Sequence, residues 1–351
     1  MLAGLLTCIL NNYLTIIFTA TVLYLIRIVF LRGHFTPLKK NLKGKRIIVT
    51  GSSAGVGKAT AIQLLKDGAD VIFACRNKDK TMRVFKEIEK IDATLLERAH
   101  FLEINLASFK SIQSFVENFD SKFGSLDILI NNAATYPKDF GLTEDKIEHN
   151  YHENYFSLVV LSRLLLKNFN QKEGRILNLA SFAHVQCDFT DASVDALFQD
   201  KEYRSVEKYY ANVWLQHYHY ANTKTAIIYF SSHFAEYLEK AHPHVKCVSV
   251  NPGLVFTEFG RFISDHWLFG YAYSTLWWTY QYFSKPAIGG AQSSLHCCYL
   301  DFNELCSGAY YSDCKIGKLS ALARDTSMRN KFVDYSYDLL RKNNVGKKIN
   351  L

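Results

Sequence analysis

The chain has 351 residues, 48% of them hydrophobic and 21% charged, which suits one large or two modest folded domains and excludes a disordered chain. Its formal charge of +8 is local, because Arg27, Arg32, Lys39, Lys40, Lys43, Lys45 and Arg46 share one stretch without an acid and the remainder balances at 34 basic against 33 acidic residues. That balance gives no support for a nucleic-acid-binding face. The eight cysteines contain no C-x-x-C pair and are read as reduced thiols, and no histidine pattern calls for a metal.

From Met1 to Ile26 no side chain is charged, and Tyr13 to Phe30 is almost wholly apolar apart from threonines and Arg27. This is about the ~20 residues needed to cross a bilayer. Positive charge follows the apolar run instead of preceding it, unlike a cleaved signal peptide. Residues 1–31 are therefore predicted to be a membrane anchor. It is either single-pass or monotopic, because Asn11 and Asn12 interrupt it, and the positive-inside rule keeps the following domain cytosolic. Residues 32–42 read as a basic linker.

From about Lys43, short aliphatic runs alternate with helical patterns. Ile47 to Thr50, Asp70 to Cys75, His100 to Ile104, Leu126 to Asn131, Arg175 to Ala180 and Val245 to Val250 are the strands. The alternation predicts an α/β, doubly wound parallel sheet, a Rossmann fold, over residues 43–315, with a helical C-terminal tail over 316–351.

The first strand ends in Thr50-Gly51-Ser52-Ser53-Ala54-Gly55-Val56-Gly57 and runs into a helix. Glycines there permit a tight turn and close approach of a pyrophosphate to backbone N–H groups at a helix start. Taken alone, the spacing also fits an ordinary glycine-rich turn. The second strand ends Ala74-Cys75-Arg76-Asn77, where NAD-binding proteins usually place a carboxylate. Arg76 suits a 2′-phosphate and favours NADP over NAD, although it also reads as a solvated surface cation, with Asp79 a weaker rival.

Ser181 closes the fifth strand at the ligand-binding edge of such sheets, or else simply caps a helix. Tyr220 and Lys224 stand at i, i+4 on a helical stretch and share a face. A nearby ammonium lowers a phenol's pKa from about 10, which equips Tyr220 to exchange a proton with an alcohol or carbonyl oxygen while a nicotinamide exchanges hydride with the adjacent carbon. With 21 tyrosines in the chain, a structural pair of this kind also arises by chance.

These segments resemble the short-chain dehydrogenase/reductase family over about residues 43 to 315. The glycine turn, Asn131-Asn132-Ala133-Ala134, Ser181, Tyr220 with Lys224, and Asn251-Pro252-Gly253 stand in the family's order. The insertion between Ser181 and Tyr220, the Ala-Cys-Arg end of strand two and the hydrophobic start look most like the retinol-dehydrogenase-like branch, including the oxidoreductase domain of the WW-containing members. No WW domain is placed here.

The resemblance implies a single domain of about seven strands with Tyr220 as general acid/base, Lys224 lowering its pKa and holding the nicotinamide ribose, and Ser181 orienting the substrate oxygen. Asn154 would support a proton-relay water, with Asn150 one helical turn away as the alternative. The cofactor would meet Gly51, Ser52, Ser53, Gly55, Val56, Gly57, Arg76, Asn105, Leu106, Asn131, Ala133, Pro252 and Gly253, besides Tyr220 and Lys224. The sequence departs from the family at Ala134, where a glycine is usual, and at Asn105, where an aspartate is usual.

Residues 262–283 hold ten aromatics in twenty-two positions. They read either as a lid or membrane-facing helix that admits a lipophilic molecule, or as an aromatic core or dimer helix. The expected function is membrane-associated, NADP-dependent interconversion of a lipophilic alcohol (retinoid, steroid or isoprenoid-like) with its aldehyde or ketone. The alternative is a catalytically weak anchored nucleotide-binding or scaffold protein of the same fold. A homodimer, and residence at the endoplasmic reticulum or a lipid droplet, are family-level expectations.

Overall fold

The structure is a computed structural model that describes residues 2–26, 35–136, 139–200, 203–255, 284–343, 345 and 349. The aromatic segment 262–283 and the charges of Arg27 and Arg32 lie outside them. Strands β1 (Arg46–Thr50), β2 (Asp70–Cys75), β3 (Ala99–Glu103), β4 (Ile128–Asn131), β5 (Gly174–Leu179), β6 (Val245–Asn251), β7 (Tyr310–Ser312) and β8 (Lys315–Ile316) form one sheet in the order β3-β2-β1-β4-β5-β6-β7-β8. Every pairing is parallel except the last, β7 with β8. The seven expected strands are thus joined by a two-residue antiparallel edge.

Helices α1 (Leu2–Ile26), α2 (Gly55–Lys66), α3 (Lys78–Ile91), α4 (Phe109–Lys122), α5 (His149–Tyr151), α6 (Ser157–Leu164), α7 (Asp191–Gln199), α8 (Arg204–Glu207), α9 (Val213–Ala241), α10 (Ala287–Tyr299) and α11 (Thr326–Lys342) complete the described part. Helix starts follow local chemistry. Asn77 accepts from the Lys80 N–H, Ser108 from Ser111, Asn212 from Trp214 and Leu215, and Asp325 from Ser327 and Met328. Each occupies a donor that the first helical turn leaves unpaired.

Strands β4 and β5 are buried at every position, as a parallel sheet covered on both faces requires. One core cluster unites Ile48, Ile72, Leu129 and Ile176 with α4, α6, α9 and α11; the other unites Ile47, Val49, Val71 and Val248 with α2, α3 and α10. Alternate residues of each strand serve opposite faces. The C-terminal helix belongs to the first cluster, because Phe332 on α11 is fully buried and packs edge-on against Tyr155 and Phe198.

Strand order reverses between β1 and β4, which opens a crevice at their carboxyl ends. Among the described residues no helix is long and apolar enough to cross a membrane, and residues 27–31 of the expected anchor lie outside the described residues.

Candidate active site

The glycine turn at the end of β1 has the conformation its residues predict. Gly51 and Gly55 adopt φ of +67° and +55°, a region that favours glycine. A Cβ on Gly51 would stand 2.9 Å from the Ala133 Cα, and one on Gly57 would meet the Gly51 carbonyl oxygen at 2.6 Å and the Asn132 side chain. The turn is therefore a close-packed cradle at the start of α2. Across it, the Thr50 hydroxyl oxygen accepts from the Asn132 and Ala133 N–H groups, both at 3.0 Å, and the Asn132 amide donates to the Thr50 carbonyl at 2.8 Å.

A cleft of about 320 Å³ opens beside this turn. Its walls include Gly51, Ser53, Arg76, Asn77, Lys80, Asn105, Leu106, Ala133, Ala134 and Glu153. The Arg76 side chain is 71% exposed and its guanidinium lies 3.7 Å from the Glu153 carboxylate. Lys80, which no sequence motif marks, joins Arg76 on the cleft wall. It stands in the first turn of α3, where the Asn77 cap holds its backbone N–H.

Two residues expected at the cofactor turn their side chains elsewhere. The Ser52 hydroxyl is fully buried and donates to the Val49 carbonyl at 3.0 Å. Asn131 donates inward to Asn178 at 2.8 Å and to Ser162 at 3.0 Å. Both sit where the turn meets the core, so only their main chain is left for a ligand. Asn105 lines the cleft, yet its Oδ1 already accepts from the Ala107 N–H at 3.2 Å. Val56 packs toward Gly290 of α10, where a Cβ would meet it at 2.9 Å.

At the far end of the crevice, α9 carries Tyr220 and Lys224. Lys224 is only 2% exposed; its Nζ donates to the Leu179 carbonyl at the end of β5 at 2.7 Å and stands 5.5 Å from the centre of the Tyr220 ring. Burial pushes its ammonium down to about 7. The same bond draws α9 onto β5, two residues before Ser181. The Ser181 hydroxyl accepts from the Ala183 N–H at 3.1 Å and so caps the turn Phe182–Gln186. The capping reading is realised, while the hydroxyl keeps its own hydrogen to donate. Tyr136 places its ring 5.5 Å from Tyr220.

Asn154 lies in a π-helical turn, His152–Phe156, between α5 and α6, a local geometry frequent at functional sites. Its amide accepts from the Thr135 N–H at 2.7 Å, donates to the Thr135 carbonyl at 2.9 Å, and reaches the Thr223 hydroxyl on α9 at 3.3 Å. Asn150 also donates to the Thr135 carbonyl, at 3.0 Å. Of the two, Asn154 bridges to the helix of Tyr220. At the end of β6, Gly253 has φ +80° and its N–H donates to Asn251 Oδ1 at 3.0 Å, with Pro252 between them.

The residues fit a nicotinamide dinucleotide: a cradle that admits no Cβ, a helix start for phosphate, cations on the cleft wall, and a buried lysine beside a phenol at the other end. A family model described as short chain dehydrogenase matches residues 45–190. Retinol dehydrogenase 11 of Homo sapiens is 32% identical over 301 residues, covering 85% of this chain and 86% of that protein. Retinol dehydrogenase 12 of Homo sapiens is 31% identical over 314 residues, covering 89% and 91%. Among solved structures, L-sorbose reductase from Gluconobacter frateurii complexed with NADPH and L-sorbose aligns with a TM-score of 0.60 at 20% identity, covering 79% of this chain and 98% of that one. A short chain dehydrogenase from Burkholderia cenocepacia in complex with NADP aligns at 0.55 and 23% identity, covering 77% and 96%. At those identities the two structures speak for the fold.

Proposed function

From the premise that the chain belongs to the short-chain dehydrogenase/reductase family, with the retinol dehydrogenases as relatives, we propose that this NAD(P)-dependent oxidoreductase of CH–OH groups uses NADP(H) to interconvert a lipophilic alcohol with its aldehyde or ketone. The observation that supports the reading is Lys224, whose Nζ donates to the Leu179 carbonyl two residues before Ser181 and stands 5.5 Å from the centre of the Tyr220 ring.

In the reducing direction, Tyr220 gives its phenolic proton to the carbonyl oxygen, and Ser181 donates a hydrogen bond to the same oxygen. The nicotinamide, when bound, supplies the hydride. The Lys224 ammonium favours the phenolate left on Tyr220. Asn154 holds the loop after β4 at a set distance from α9. Because its amide is engaged with Thr135 and Thr223, a relay water would meet it at the main chain.

Preference for NADP is supported by Arg76 and Lys80 on the cleft wall, two cations where a 2′-phosphate would need charge-assisted partners. A lipophilic substrate is supported by Phe182, Val185 and Leu254, which are 65%, 44% and 56% exposed beside Ser181 and the β6 turn. Membrane association is supported by α1, where Tyr13, Leu14, Ile16, Ile17 and Phe18 are each more than half exposed. A run of exposed apolar side chains of this kind favours an interaction surface such as a membrane.

The test is NADPH oxidation by the purified full chain with a panel of lipophilic aldehydes and ketones that includes retinaldehyde. We expect Tyr220→Phe to lower kcat by about 10²-fold or more, the range for general acid catalysis. Undiminished turnover in that variant would remove the proposed chemistry. Tight NADPH binding without turnover of any panel member would favour an anchored nucleotide-binding protein.

A further inference from the structure

One buried carboxylate joins the three segments that surround the site. Glu148 is fully buried and caps α5, accepting from the Asn150 N–H at 2.7 Å and the Tyr151 N–H at 2.9 Å. Its remaining lone pairs reach outward. Oε1 also accepts from the Tyr210 hydroxyl, and Oε2 faces the Nε2 of His219 at 3.2 Å. Tyr210 belongs to the segment inserted between Ser181 and Tyr220, whereas His219 directly precedes Tyr220 on α9. Asn154 lies six residues beyond Glu148, in the π-helical turn that α5 leads into.

The surroundings hold this junction in one arrangement. His219 is itself fully buried, with Tyr209 stacked on it at 5.5 Å, Tyr210 at 5.4 Å and Tyr151 edge-on at 5.2 Å between ring centres. A second bridge runs in parallel: Asp188 accepts from the Tyr209 hydroxyl and from the Asn222 amide, both at 2.7 Å. A buried carboxylate with four donors has one satisfactory geometry, and removing a donor leaves charge without a partner.

We propose that Glu148 and His219 are positioning residues that set the separation of Asn154 from Tyr220 and make that separation depend on the inserted segment. The residues of the glycine turn take no part, and the junction meets the cofactor cleft through Glu153 and through Thr135, which Asn154 holds. The proposal rests on the reading of Tyr220 as acid/base.

The experiment compares His219→Leu, which lacks a donor for Glu148, with His219→Gln, whose amide nitrogen replaces Nε2. Readouts are kcat and KM with the best panel aldehyde, NADPH affinity from fluorescence, and amide hydrogen exchange. His219→Leu is expected to lower kcat about 10- to 100-fold, the scale of an ångström's misplacement, with NADPH affinity within about 5-fold of the wild type, the most that a partly exposed pair such as Arg76–Glu153 contributes. His219→Gln should recover most of that loss. Residues 150–156 should exchange faster in His219→Leu and as in the wild type in His219→Gln.

Equal falls in kcat and NADPH affinity, a Gln variant no better than Leu, or unchanged exchange at 150–156 would each overturn the proposal. If His219→Leu does not fold, Tyr210→Phe removes the other side-chain donor and should give the same split between kcat and NADPH affinity; no split there overturns it too. Absence of wild-type turnover would sink the catalytic reading alone, and the exchange comparison would still decide whether the junction couples the two helices.

Discussion

The Lys224 Nζ donates to the Leu179 carbonyl at 2.7 Å while facing the Tyr220 ring at 5.5 Å, so the bond that packs α9 on the sheet also sets the cation beside the phenol. Burial brings the Lys224 pKa down to about 7. Below that pH the ammonium keeps its proton and can stabilise a phenolate; as pH rises through it, the charge is lost. We expect kcat for carbonyl reduction to be level below about pH 7 and to fall above it. Lys224→Arg, with a side chain that stays charged, should move the fall to higher pH. A profile level from pH 6 to 9 in the wild type would contradict this.

Cofactor choice is expected to follow the charges on the cleft wall. Arg76→Asp should reverse the NADPH over NADH preference in kcat/KM, because a carboxylate repels a 2′-phosphate and accepts from ribose hydroxyls. Glu153 stands 3.7 Å from Arg76 and also lines the cleft. Glu153→Gln should therefore tighten NADPH binding by about 2- to 5-fold, the range of a partly exposed ion pair. Parallel titrations with both cofactors measure each effect.

The glycine cradle should tolerate no methyl group. Gly57→Ala would press a Cβ onto the Gly51 carbonyl oxygen at 2.6 Å, a backbone atom held by the turn. We expect a loss of about 1–3 kcal/mol of stability, as for other overpacked sites, together with weaker NADPH binding. Denaturant melts and cofactor fluorescence test this, and a variant with unchanged midpoint and affinity would refute the packing argument.

His152 predicts an acid limb of stability. It is fully buried, its Nδ1 shares a hydrogen bond with the Thr143 hydroxyl at 2.8 Å, and burial pushes its pKa down to about 3. The ring is then neutral at pH 7, and its 3.7 Å approach to Asp145 is not an ion pair. Unfolding lets the ring bind a proton, so this contribution is fully present above the unfolded value near 6.5 and is lost as pH falls toward 3. Between pH 6.5 and 5 the loss is about 2 kcal/mol. His152→Gln should be less stable at pH 7 but show a flatter dependence over pH 5–7 in thermal melts.

The sequence alone determined the sheet, the helices that cover it and the order of the site motifs. Strand and helix periods, Gly51 through Gly57 and the i, i+4 spacing of Tyr220 and Lys224 are local signals, written in residues close to one another along the chain. Tertiary structure alone decided which side chains face the cleft. Ser52 turns inward to the Val49 carbonyl and Asn131 to Asn178 on β5 and Ser162 on α6, Lys80 joins Arg76 because α3 starts where it does, and Asn154 bridges to Thr223 across 69 positions. The junction of Glu148, Tyr210 and His219 was likewise invisible in one dimension. Glu148 stands 62 and 71 positions from its two partners, and only desolvation within the packed core makes their pairing strong and specific.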